Sequence, residues 1–228
     1  GASVSNTGLM TGSSVNLNAG SLINNAGAIA ALNGAVNLNS AAGQYFNSGS
    51  ISALNSINVA NQAAASLANI NFDNTGGVLA AGNSINFRAS EFMEKADLEI
   101  YGGDFLSNEL NLNGGNGVVA FNGEEVTGVV NATGHDIRIN SQTADLQLGT
   151  LTGTGDPRVS NTGNINITAS IIGNPISIYA GGNITDSGGT AKTLDSQGGD
   201  MFLAAGVQFT PNPGGDETIT GASATGGS

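Results

Sequence analysis

The chain has 228 residues, 36 of them glycine, and only 10% are charged, against roughly 25% in ordinary domains. Seventeen acids against five bases leave a net charge of -12, which argues against nucleic acid or an anionic membrane as a partner. With no cysteine and one histidine, His135, disulfides, thiolate metal centres and multi-histidine zinc sites are excluded, and no cofactor is expected.

The first residues, Gly1-Ala2-Ser3, include neither a start Met nor a basic signal region, so the sequence reads as a mature or excised piece of a longer chain. No apolar run approaches the ~18 residues of a membrane-spanning helix. A transmembrane barrel needs longer strands and aromatic girdles, whereas aromatics here are 5% and Trp is absent.

Repetition begins at once. Val15-Asn16-Leu17-Asn18, Val36-Asn37-Leu38-Asn39 and Ile57-Asn58-Val59-Ala60 are one unit recurring at equal intervals, and Ile85-Asn86-Phe87-Arg88 follows after a longer one. Later copies are Leu98-Glu99-Ile100-Tyr101, Leu110-Asn111-Leu112-Asn113, Ile137-Arg138-Ile139-Asn140, Leu146-Gln147-Leu148, Ile165-Asn166-Ile167-Thr168, Ile176-Ser177-Ile178-Tyr179 and Met201-Phe202-Leu203. Alternation of apolar and polar residues is the strand period, and a helix would lose up to ~1 kcal/mol at each glycine. The segment Ser90 to Lys95 is the one place where a helical turn is expected. Corners are marked by Asn6-Thr7-Gly8, Asn25-Ala26-Gly27, Asn47-Ser48-Gly49, Asn74-Thr75-Gly76-Gly77 and Asn161-Thr162-Gly163. Asn and Gly enter left-handed backbone at least cost, and each period reads as two strands and two corners.

An antiparallel sandwich needs matched hairpins and a core of large residues, while a solenoid needs only small apolar residues recurring in phase with bends between them. The pattern therefore predicts an all-β fold, a right-handed parallel β-helix with coils of about 20-25 residues. At ~4.8 Å per stacked strand it would form a rod on the order of 50 Å long. The core is expected to be Val, Ile, Leu and Ala with few aromatics. Val15, Leu17, Val36, Leu38, Ile57 and Val59 should point inward, and Asn16, Asn37 and Asn58 should form an outer amide ladder.

One β-helix is expected over 1–228, in three stretches. Residues 1–87 read as regular coils, with no charged residue before Asp73. Residues 88–150 read as irregular, more charged coils with loop excursions. Residues 151–228 read as further coils cut off at the end, with breaks at Asp156-Pro157, Asn174-Pro175 and Pro211 to Gly215, and with Thr218-Ile219-Thr220 starting another coil.

The Asn-x-Gly-x-Ile corners, Val-Asn-Leu-Asn-Ala-Gly at 15–20 and Ile-Tyr-Ala-Gly-Gly-Asn-Ile at 178–184 resemble the filamentous haemagglutinin-like exoproteins, β-helical bacterial adhesins secreted by a two-partner route. The resemblance covers most of the chain, most closely 1–87 and 160–207, and implies a structural or adhesive stalk segment. Such a segment would be secreted or held at the bacterial cell surface, would continue into further coils of its parent chain, and would meet host-cell or environmental glycans or proteins. The short motifs of that family's secretion domain are not found.

Motifs for chemistry are weak. Gly153-Thr154-Gly155-Asp156-Pro157-Arg158 starts like a dinucleotide loop but has Arg158 at its third glycine position. Gly114-Gly115-Asn116-Gly117-Val118-Val119 has Val119 where a calcium repeat needs Asp. Some β-helices are polysaccharide lyases or glycosidases, so a carbohydrate-active or carbohydrate-binding β-helix stands as the alternative, with Glu124, Glu125, His135, Asp136 and Arg138 as its candidate groups. Asp136 and Arg138 flank Ile137 on one strand face and are expected to pair. The sequons at Asn131, Asn166 and Asn183 are what chance gives in this composition. Recognition anchors are concentrated in 88–125: Arg88, Phe92, Tyr101 and Phe105 are the binding candidates, with Met93 and Phe121 nearby. Phe92, Met93 and Phe105 have the competing reading of folding back over a bulge in the coil.

Overall fold

The computed structural model describes residues 1–60, 69–89, 97–187, 190–210 and 218–219. Alternating sequence becomes stacked parallel strands, and no helix occurs among the described residues. The first sheet holds ten strands: Val4–Asn6, Leu22–Asn25, Gln44–Asn47, Ile70–Asp73, Leu98–Tyr101, Val119–Gly123, Ile137–Ser141, Pro157–Asn161, Ile176–Ala180 and Met201–Ala205. Each pairs in parallel with the next, which defines nine coils of a β-solenoid. At ~4.8 Å per step the stack is about 45 Å tall. Coil length is uneven: along this sheet the shortest coil joins Phe121 to its register partner Ile139, and the longest joins Phe72 to Ile100.

The first five coils have three faces rather than the two strands per period expected. A second sheet contains Leu9–Gly12, Ala28–Ala31, Ser50–Ala53, Val78–Ala81 and Asp104–Leu106. A third runs from Val15–Ala19 through Val36–Ser40, Ser56–Ala60, Ser84–Arg88, Glu109–Asn113, Val129–Gly134, Asp145–Gly153 and Asn164–Ile167 to Ile184–Asp186. The strands read as one repeating series in the sequence therefore belong to two sheets: Val15, Val36 and Ile57 lie in the third, Leu98, Ile137 and Ile176 in the first. Beyond Phe105, among the described residues, the second sheet continues only as a single bridge to Val126. The third sheet forks at Val130, where a register shift lets Asp145–Gly153 pair onward with both Asn164–Ile167 and Ile171–Ile172.

Inside, the phase expected for Val15, Val36, Leu38, Ile57 and Val59 holds, with each buried; Leu17 packs partly exposed against the same core in the first coil. The core is not poor in aromatics, however. Tyr45, Phe72, Phe87, Phe105 and Phe121 form a continuous column with successive ring centroids 5.0–6.2 Å apart, mostly edge to face. This arrangement suits ring quadrupoles. The two longest coils, from Tyr45 to Phe72 and from Phe72 to Ile100, begin at rings of this column.

The Asn-x-Gly corners form where expected but for a different reason. Of their glycines only Gly76 has a left-handed backbone, φ 70°. Four of the five corner asparagines instead turn inward and stack: Asn6 Nδ2 donates to Asn25 Oδ1, Asn25 to Asn47 and Asn47 to Asn74, each at 2.7 Å. All four are buried, and their amides also satisfy corner carbonyls such as Gly27 O and Gly77 O. At Gly27, Gly49, Gly77 and Gly163 glycine is needed because coils approach closely; a Cβ on Gly49 would collide with the Gly27 carbonyl oxygen.

Two further expectations change. Pro157 does not break the coil but is the first residue of a first-sheet strand, a position where a missing N–H is tolerated. Phe209–Thr210 and Thr218–Ile219 pair antiparallel, so Thr218-Ile219 does not begin another parallel coil. The expected helical turn at 90–95 and the break at Pro211 to Gly215 lie outside the described residues.

Candidate functional site

On the outer surface of the first sheet, strand alternation sets two rows of side chains. Glu99, Ala120 and Arg138 occupy consecutive register positions in one row, and Tyr101 and Asn122 are neighbours in the other. Their inward neighbours Ile100, Phe121 and Ile139 are core, at most 1% exposed. Ala120 is the short member of its row, so the surface drops between Glu99 on one coil and Arg138 two coils on. The resulting groove has a volume of about 560 Å³, with Asp97, Glu99, Tyr101, Ala120, Asn122 and Arg138 around it.

Asn71, one coil earlier in the row of Glu99, ties down one wall. Its Nδ2 donates to Glu99 Oε2 at 3.1 Å, and the Tyr101 hydroxyl donates to its Oδ1 at 2.9 Å. Both side chains are thereby drawn away from Arg138. Asp97 Oδ1 accepts the Val118 amide at 2.9 Å, which fixes the rim where the chain enters this strand.

Of the sequence-derived binding candidates among the described residues, Tyr101 alone borders this groove with its side chain at the surface. Arg88 is exposed on the third sheet, between Ala60 and Asn113 in register, and so on another face. Phe105 is 0% exposed and sits in the aromatic column, which corrects its assignment as a surface anchor; its alternation with Asp104 and Leu106 on a short strand turns it inward. Phe121 lies under the groove as part of the same column. Phe92 and Met93 lie outside the described residues. Glu99 and Arg138 were visible as charges, but Asn71, Ala120 and Asn122 gave no signal in isolation; only laying first-sheet strands over one another in register would have found them.

Of the groups considered for catalysis, Arg138 borders the groove from its strand, and the other four lie at two separate bends. Glu124 and Glu125 are exposed on the bend after Val119–Gly123, while His135 and Asp136 occupy the bend between Val129–Gly134 and Ile137–Ser141. Asp136 does not pair with Arg138 as expected: its Oδ1 accepts the Asp156 amide at 3.0 Å and lies 3.9 Å from His135 Nε2. The equivalent spacing one coil later does form an ion pair, Arg158 to Asp156 at 3.1 Å. His135 Nδ1 lies 2.8 Å from Thr154 Oγ1. Among the described residues no group of three or more His, Asp or Glu is placed to hold a metal ion, and no helix is long and apolar enough to cross a membrane.

The third sheet carries the expected outer ladder, and it is longer than the three asparagines read from the sequence. Asn37 donates to Asn16, Asn58 to Asn37, Asn86 to Asn58, Asn111 to Asn86 and Asn131 to Asn111, at 2.6–3.0 Å. It stops where the third sheet forks, with the Thr150 backbone amide donating to Asn131 Oδ1 at 2.9 Å. This row points its amides toward the N-terminal end, opposite to the buried row, and its members keep one another occupied. No family model, curated protein or solved structure matches the chain.

Proposed function

We propose that this chain is a stalk segment of a large secreted or surface-anchored bacterial exoprotein of the filamentous haemagglutinin-like kind, whose work is to hold binding surfaces for cell or glycan attachment away from the surface that bears it. The observation that carries this reading is the uninterrupted ten-strand parallel sheet from Val4 to Ala205. Each coil rests on its neighbours through backbone ladders and an inner apolar stack, and two amide rows join the earlier coils, which suits a rigid spacer. The chain before Asp73 bears no charged side chain, consistent with a passive shaft.

The groove beside Tyr101 favours a second reading, a carbohydrate-binding or carbohydrate-active β-helix. The two are separated by one set of experiments on the intact chain. Beads coated with it should be retained on cultured host cells, and antibody should label unpermeabilised cells of the organism that makes it. Release of reducing ends from polysaccharides, with no retention of beads, would favour the second reading and refute the first.

A further inference from the structure

Glu99 and Arg138 carry opposite charges in one outer row, separated only by Ala120. Two coil steps put their backbones ~10 Å apart, a span that two long side chains can close by leaning together. They do not pair, and the reason is Asn71: its amide holds the Glu99 carboxylate and its carbonyl oxygen holds the Tyr101 hydroxyl, both toward the preceding coil. The space over Ala120 is therefore kept open by a specific pair of hydrogen bonds, and its volume of about 560 Å³ falls within the usual range of small-ligand sites, roughly 300–1,000 Å³.

We propose that this groove binds a short, uncharged saccharide. Tyr101 offers a ring face to the apolar C–H side of a pyranose. Glu99 contributes an acceptor, Asn122 a donor and an acceptor, and Arg138 a fan of donors on the opposite wall, a set that suits adjacent hydroxyls. The carboxylates of Asp97 and Glu99 at the rim, with the net charge of -12, disfavour an acidic polysaccharide. Asn71 acts as a positioning residue that touches no ligand. This site would be one of the surfaces that the proposed stalk presents, and the inference rests on that reading.

The test uses the purified chain on an array of neutral and acidic glycans, followed by calorimetry with a neutral hit. The wild-type chain should retain neutral glycans over acidic ones. Tyr101→Ala and Ala120→Gln, which fills the notch from an outward position, should each weaken binding by about tenfold or more, a change of ~1.4 kcal/mol. Asn37→Ala, on another face, should bind within about twofold of wild type. Asn71→Ala should weaken binding and also shrink the effect of Tyr101→Ala, a non-additivity that a purely structural loss does not produce. Absence of neutral-glycan binding, or unchanged binding by a folded Ala120→Gln, overturns the site. If glycan binding survives Ala120→Gln and Tyr101→Ala while the beads are retained on cells, the site falls and the stalk reading stands; if the wild-type chain binds glycan but is not retained on cells, the stalk reading falls and the site stands.

Discussion

Replacing Asn25 with Ala tests the role of the buried corner amides. Asn25 accepts from Asn6 and donates to Asn47 at 2.7 Å, and it also reaches Gly27 O and Ser50 O at 3.2 Å. Asn25 and Asn47 are each 1% exposed, so water cannot replace what is removed. Asn6 keeps other partners in Gly8 O and Ala28 O, whereas Asn47 Oδ1 loses the amide that it accepts. Each lost bond is worth ~0.5–1.5 kcal/mol net, and an orphaned buried acceptor costs a further ~1–3 kcal/mol. The expected loss is about 3 kcal/mol. Asn37→Ala deletes the same number of amide–amide bonds from the outer ladder, at 2.6 and 2.7 Å, but there water takes over both neighbours, and the loss should stay below about 1 kcal/mol. Urea unfolding compares the two variants, and hydrogen exchange of amides in residues 4–60 locates the loss, since a repeat array need not unfold as one unit. Equal losses at Asn25 and Asn37 would refute the reasoning.

Leu38→Asp places a carboxylate at a position 2% exposed and should destabilise by several kcal/mol, unfolding the first coils in circular dichroism, while Asn37→Asp on the same strand should be far milder; comparable damage would contradict the inward phase. Tyr45 is buried, its hydroxyl accepting the Ser40 amide and donating to Ala60 O, and desolvation raises its phenol well above the ordinary value of 10.0. Above pH 10 the unfolded chain releases this proton first, so stability is full below that pH and falls by up to ~1.4 kcal/mol per pH unit as pH rises toward the folded value. Chemical unfolding of wild type and Tyr45→Phe between pH 8 and 11 should show a slope above pH 10 that is smaller in the variant; identical slopes would remove Tyr45 as a source of it.

The fold was legible because one residue class repeats in phase: Val15, Val36 and Ile57 are inward residues of neighbouring coils, and their equal spacing announces stacking before any contact is known. The first sheet was harder to read. Strands such as Gln44-Tyr45-Phe46-Asn47 lack clean alternation, because Phe46 faces outward at 39% exposure and Asn47 faces inward to join the amide row. The corner motif was visible, but its cause was not. Nothing in Asn-x-Gly distinguishes an asparagine that adopts a left-handed turn from one that buries its amide against the next coil. The aromatic column misled in the opposite direction: Phe105 and Phe121 gather near acids in the sequence, yet strand alternation sends both inward. The groove depends on which residues share a row across coils of unequal length, Glu99 over Ala120 and Ala120 over Arg138. That information resides in the register between strands and in none of them alone.

Cysteine cross-linking across the groove tests that register most directly, and the chain brings no cysteine of its own. Glu99 and Ala120 are register partners on adjacent coils, so the double variant Glu99→Cys with Ala120→Cys has Cα atoms ~4.8 Å apart, within disulfide range. Glu99→Cys with Arg138→Cys spans two coils, ~10 Å, beyond that range. Mild oxidation followed by mass spectrometry of the peptides should give the first disulfide and leave the second pair as free thiols. Ready closure of the second pair, with the first left reduced, would contradict both the stacked coils and the site built on them.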